Sequence, residues 1–228
     1  MKYALITLIV CVFLGCGEST QTYFPPAPEA QRIIEERERK AKEINSKGGV
    51  PRIPIHDAAR EGNIEAIKQH LLVVDLVGTD LNEKRGVGFT PLHFAAAYGH
   101  GEVVQALITK GADVNTRTGV GWSPLHHVTV NDHKDVAELL IRKGAVINAK
   151  TNDGETPLDF AAGWGRKDIA ELLILNGSDL NSRDKNGLTP LDSAMDSSFG
   201  NRRGRTEIAD LLRKHGAKRG KELKAEGN

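Results

Sequence analysis

Only two of the 228 residues are cysteine, Cys11 and Cys16, and none follows residue 16. The body of the chain therefore holds no disulfide framework, no zinc-finger thiolates and no thiol nucleophile. Aromatic residues make up 5% of the chain, too few for a large aromatic core. Neither sign of charge dominates: 31 Lys and Arg stand against 30 Asp and Glu, a net charge of +1. A protein built chiefly to bind nucleic acid needs a basic excess, so that class is set aside. What is present is 39% apolar and 27% charged residues. That is the composition of a folded, soluble chain, not of a membrane bundle, with room for one large domain or two small ones.

The first residues read as an address. Met1-Lys2 is a short positive start, and residues 3–14 (YALITLIVCVFL) are almost wholly apolar. As a helix this run is about 18 Å long, short of the ~30 Å hydrocarbon core of a bilayer. It fits the apolar core of a secretory signal peptide. Phe13-Leu14-Gly15-Cys16 resembles the lipobox of bacterial lipoproteins. The resemblance implies cleavage before Cys16, with 1–15 removed and a lipid (palmitate among its acyl chains) carried on Cys16. The pattern departs at Phe13, where the family usually has Leu. Ordinary secretion with a conventional cleavage near Cys16 is a second reading, and an uncleaved anchor, disfavoured by its length, a third. Residues 16–51 are expected to be a linker and charged helix. Pro25, Pro26 and Pro28 mark an extended tether, and residues 29–47 are rich in helix formers, with Glu35–Arg39 and Glu36–Lys40 at i,i+4 spacing.

The strongest signal is a repeat. Thr90-Pro91-Leu92-His93, Ser123-Pro124-Leu125-His126, Thr156-Pro157-Leu158-Asp159 and Thr189-Pro190-Leu191-Asp192 recur every 33 residues. A second word keeps the register: Gly111-Ala112-Asp113-Val114-Asn115, Gly144 to Asn148 and Gly177 to Asn181. This period with these words resembles the ankyrin repeat. The resemblance implies an all-α solenoid of five helix-turn-helix repeats joined by hairpin loops, over about residues 52–84, 85–117, 118–150, 151–183 and 184–219. Residues 220–228 are expected to be a polar tail.

The residue types suit such helices. Thr or Ser before Pro is a helix N-cap followed by the residue best suited to the first helical position. Leu92, Leu125, Leu158 and Leu191 then point into the stack, and Ala95-Ala96 and Ala161-Ala162 allow close packing. Gly99 and Gly165 sit at the turn between helices, and second helices carry apolar stripes such as Val103, Val104, Leu107 and Ile108. Asn115, Asn148 and Asn181 are expected to close a turn after each pair. The first repeat has four extra residues within 70–80, and the last has an insertion over roughly 196–206. The third departs most: Val128-Thr129 replace the alanine pair and Asp132 the turn glycine. It is predicted to be the least regular junction, with alanine at 128 and 129 leaving the melting temperature unchanged or raised.

Catalysis is not indicated. There is no HExxH, CxxC, P-loop or G-x-S-x-G. Among the eight histidines, His126, His127 and His133 invite a metal site, but neighbouring residues on a helix face different directions. The resemblance assigns His93 and His126 a structural hydrogen bond to the adjacent Thr or Ser. Asp159 and Asp192 replace the motif histidine and, one repeat apart, are no catalytic pair. Arg202, Arg203 and Arg205 read as a solvated loop or a contact for an anionic surface. No cofactor and no metal are expected.

Ankyrin stacks bind protein through a concave face made of hairpin tips and the exposed side of each first helix. Transferred position by position, the column before Thr/Ser holds Phe89, Trp122, Glu155 and Leu188, and the column five after the motif residue holds Tyr98, Asn131, Trp164 and Ser197. Both tryptophans fall in these columns. Large rings there are interface anchors or simply pack across repeats. The expectation is a monomeric, non-catalytic scaffold for an unidentified protein, secreted across a bacterial inner membrane and lipid-anchored to the envelope. An envelope enzyme inhibitor or immunity factor, or a purely structural spacer, are the alternatives.

Overall fold

Each Thr/Ser-Pro-Leu word starts a helix. In the computed structural model, residues 53–77, 80–196 and 202–227 are described, together with Arg32 and Arg39. The expected signal peptide, Cys16 and nearly all of the expected charged helix lie outside the described residues. The first 39 residues form a unit of their own, in which Arg32 and Arg39 are helical and exposed. The second unit carries every helix named below.

Eleven helices follow in order among the described residues: α1 (Ile55–Glu61), α2 (Ile64–Val77), α3 (Pro91–Ala97), α4 (Gly101–Thr109), α5 (Pro124–Asn131), α6 (Lys134–Arg142), α7 (Pro157–Trp164), α8 (Lys167–Leu175), α9 (Pro190–Met195), α10 (Arg202–Lys214) and α11 (Gly220–Ala225). The first ten form five pairs. Odd-numbered helices pack on the first helices of neighbouring repeats, and even-numbered ones form a second row behind them. Leu92, Leu125, Leu158 and Leu191 of the first row and Leu107, Leu140, Leu173 and Leu212 of the second are buried. Each such leucine contributes about 2 kcal/mol by leaving water, so a single pair gains little until its neighbours cover it. The two rows are the all-helical solenoid expected from the 33-residue words; among the described residues there is no strand, only an isolated bridge between Arg85 and Phe89.

Polar ladders join the repeats. Successive hairpin tips share one backbone bond each: Gly119 N–H donates to the Val87 carbonyl at 2.7 Å, Asn152 to Val120 at 3.0 Å and Lys185 to Asp153 at 2.8 Å. Asn115, Asn148 and Asn181 lie in the turn after each pair, as the sequence suggested, and asparagine side chains also reach on to the following repeat. Asn82, Asn115 and Asn148 accept from Asp113, Val146 and Asp179 of the next repeat at 2.8–2.9 Å. A third ladder runs along the helix turns. His100 Nε2 donates to the Arg60 carbonyl at 3.0 Å, His133 Nε2 to Ala97 at 3.1 Å and Arg166 to Val130 at 2.8 Å. The imidazole of His133 covers Gly99, where a Cβ would stand 2.6 Å from its Nδ1.

The third repeat is regular, contrary to the sequence expectation. Asp132 adopts φ 65°, beside 76° at Gly99 and 70° at Gly165, and its carboxylate meets Arg166 at 3.4 Å. Aspartate tolerates the left-handed region better than most residues, and the ion pair holds it there. Val128 and Thr129 are both fully buried, and Thr129 Oγ1 donates to the Leu125 carbonyl at 2.8 Å. Val128→Ala therefore opens a cavity and is expected to lower stability by about 2 kcal/mol, measured by denaturant unfolding. An unchanged midpoint would show that the α5 helix collapses onto the smaller side chain.

The ends differ from the sequence reading. The extra residues of the first repeat lengthen its second helix, α2, to 14 residues against nine in α4. Residues 202–206, read as part of an insertion, belong to α10, and 197–201 lie outside the described residues. Arg205 is buried while Arg202 and Arg203 are exposed, so the three arginines are not one solvated cluster. Residues 220–225 are not a polar tail. They form α11, with Leu223 buried and Gly220 N–H donating to Asp192 Oδ2 at 2.7 Å. This short helix covers the last repeat where a further repeat would otherwise stack.

Candidate functional site

The buried histidines hold the candidate face in place. Thr90 N–H donates to His93 Nδ1 at 3.1 Å, which makes Nδ1 an acceptor and leaves the proton on Nε2. That Nε2–H donates to the Trp122 carbonyl at 3.1 Å. His126 repeats the arrangement, with Ser123 N–H on Nδ1 at 3.0 Å and Nε2 toward the Glu155 carbonyl at 3.4 Å. His56 Nε2 donates to Glu83 at 2.8 Å. His93 and His126 thus tie their own N-caps to the next repeat, at the residue in front of the Ser or Thr, the candidate binding column, whereas His56 makes only its bond to Glu83 among the described residues. Burial pushes both His93 and His126 down to about 4, because protonation would place a charge in the core and a proton against the N-cap donors.

Aspartate at the same position works differently. Asp159 Oδ2 accepts from Thr156 N–H and Oγ1 at 2.7 Å. It has no proton to give the next repeat, and burial raises its carboxyl to about 6. Asp192 gains what Asp159 lacks: Arg219 Nε donates to it at 2.6 Å. Burial alone would raise Asp192, but the Gly220, Arg219 and Thr189 hydrogen bonds prevail and lower it.

In front of this clamp lies a continuous row of rings. Phe94 meets Phe89 at 5.2 Å between centroids, Phe89 meets His127 at 5.0 Å, His127 meets Trp122 at 5.0 Å and Trp122 meets Phe160 at 4.7 Å. His56 extends it to the first repeat, 6.2 Å from Phe94. The row brings together Phe89 and Trp122 from the first candidate column. It adds Phe94, His127 and Phe160, which sequence reasoning missed although they too recur at 33 residues, directly after the motif residue. His127 is buried between the rings, its Nε2 has no hydrogen-bond partner, and burial drives it down to about 3.

The remaining candidates spread over the same face. Tyr98 is 55% exposed and stacks on His100 at 6.4 Å. Trp164 is 36% and Leu188 47% exposed. Asn131 is exposed and donates to the His127 carbonyl at 3.0 Å, while Glu155 is half-buried on its hairpin. Two further exposed residues, Val87 and Val120, occupy the first two hairpin tips. Among the described residues no group of three His, Cys, Asp or Glu could hold a metal ion, and no helix is long and apolar enough to cross a membrane. His126, His127 and His133 do not converge: His126 and His133 donate to carbonyls of different repeats.

The family model for ankyrin repeats (3 copies) matches residues 30–118, 55–151, 116–184 and 149–222, most of the chain. No curated protein matches it. The 33-residue words, the paired helices and the stacked hairpins agree with that match, and the chain belongs to the ankyrin-repeat family.

Proposed function

We propose that the chain is a non-catalytic scaffold that binds a protein partner through its concave face and is tethered to a bacterial envelope membrane by lipid on Cys16. The observation that carries the binding part is the ring row with Tyr98, Trp164 and Leu188 exposed around it. Aromatic side chains held on a rigid face are the anchors that protein interfaces favour. The lipobox resemblance at Phe13-Leu14-Gly15-Cys16 carries the tether.

Trp122 contributes to packing as well as to the face, so its truncation confounds folding with binding. Tyr98→Ala combined with Trp164→Ala is the cleaner probe. Cross-linking on cells is expected to join the wild-type chain to a stoichiometric protein partner. The double variant should lose that product while still melting cooperatively. Retention of the product would remove the concave face from the proposal, and no product with wild type would favour the spacer. A partner enzyme whose activity falls on binding would identify an inhibitor. Palmitate labelling should mark wild type and not Cys16→Ser; equal labelling would end the lipid tether.

A further inference from the structure

The chemistry of the hairpin row changes halfway along it. The first two tips carry Val87 and Val120, 66% and 55% exposed, on the same hairpins as Phe89 and Trp122. In the third hairpin Asp153 takes the tip position and Glu155 the position of the aromatic ring. That hairpin lies flat on the fourth, with Lys185 N–H on the Asp153 carbonyl at 2.8 Å and room for only a glycine at 154 beside Asp184.

Three carboxylates are therefore gathered at one end of an apolar row. Asp184 is committed to its own turn, accepting from Asn186 and Leu188 N–H at 2.8 Å. Asp153 and Glu155 have no ion pair among the described residues, and Lys150 is turned to the Arg183 carbonyl instead. Burial, then Asp153 and Asp184, push the Glu155 carboxyl above the usual range, with no cation acting against them. Asp192 and Asp57, by contrast, are each paired with an arginine, Arg219 and Arg85.

We propose that the partner is an extended polypeptide segment that lays an apolar side chain on the Val87–Val120 end and a lysine or arginine against Asp153 and Glu155. This rests on the concave-face reading above. Packed helices of adjacent repeats stand about 10 Å apart, and an extended chain advances about 3.3 Å per residue. The apolar and cationic residues are then about three positions apart in the segment. The cation meets two carboxylates that no lysine or arginine among the described residues pairs, so their charge draws it to this end of the row.

The test is to pan a random displayed-peptide library on the immobilised full chain, and then measure Kd for synthetic copies of the selected peptides. The selected sequences are expected to pair apolar residues with Lys or Arg about three positions away. Asp153→Asn with Glu155→Gln should weaken them about tenfold in low salt, and much less in 0.5 M NaCl, where ion pairs are screened. Val87→Ser with Val120→Ser, both on exposed tips, should weaken them as well. Thermal melting of each variant within ~2 °C of wild type secures folding. Selected peptides without a cationic residue, or unaffected by the carboxamide variant, overturn the cationic occupant. If the valine variant still weakens those peptides, the concave face survives. If neither variant changes Kd, or no peptide is selected, the face itself falls with the proposal.

Discussion

Between pH 7 and pH 4 the melting temperature is expected to fall by about 6 °C or more. Unfolded, each histidine takes its proton near 6.5; folded, His93 and His126 do so at about 4 and His127 at about 3. Across that window the unfolded state binds more protons, so stability is lost as the pH falls. At ~1.4 kcal/mol per pH unit, each histidine contributes up to about 3 kcal/mol. Asp159 opposes them. Its folded value is raised to about 6 from 3.8, so the native state takes up that proton first and gains as the pH falls through 6. Glu155 acts in the same direction. Three histidines against these carboxyls leave a net loss of at least ~3 kcal/mol, and each kcal/mol moves a chain of this length by about 2–4 °C. Calorimetry across the range measures it, and a flat profile would show that the histidines are protonated without opening the core.

The same reasoning singles out His127→Phe. Phenylalanine stands at this position in the repeats on either side, as Phe94 and Phe160. The substitution removes a buried Nε2 without a partner, a group that costs about 1–3 kcal/mol. The variant should melt about 3 °C higher at pH 7 and lose less on acidification. A lower melting temperature at both pH values would mean that the ring row cannot admit the larger ring.

Gly204→Ala is expected to cost about 3 kcal/mol, although helix propensity alone favours the alanine by about 1 kcal/mol. Gly204 lies within α10, buried against the turn of the fourth repeat, and a Cβ there would run into the Gly165 carbonyl oxygen. Backbone cannot rotate away as a side chain can, so α10 must retreat and uncover Ile208 and Leu212 beneath it. Gly101→Ala is the control. Gly101 also opens a second helix, and its Cβ would meet only Val136 Cγ2 at an ordinary 3.9 Å. It should be neutral or mildly stabilising. Equal denaturation midpoints for the two variants would refute the close approach.

The candidate face was partly legible. Phe89, Trp122, Tyr98 and Trp164 were found because they stand out as large rings at positions where a resemblance places binding. Phe94, His127 and Phe160 were passed over although their spacing was just as regular. A residue next to the motif histidine on a helix looks like core, and only the packing reveals that it forms the floor of the face. The Asp132 substitution misled for a related reason. From sequence it is a lost glycine, but Arg166, 34 residues away, supplies the carboxylate's partner.

The repeat is written in the residues themselves: its period, its helix starts, the leucines and alanines that enter the stack, and the sparing use of aromatics. Those follow from residue type and local spacing, since N-caps, helix breakers and apolar stripes act within a few positions. The tertiary structure decided what depends on neighbours one repeat away. It made the asparagines bridges to the next repeat, turned 220–225 into a capping helix and buried Arg205 and Gly204. It also threaded six rings from four repeats into one row. Contacts across 30 or more residues are set by how whole helix pairs stack, and no window of sequence contains both sides of them.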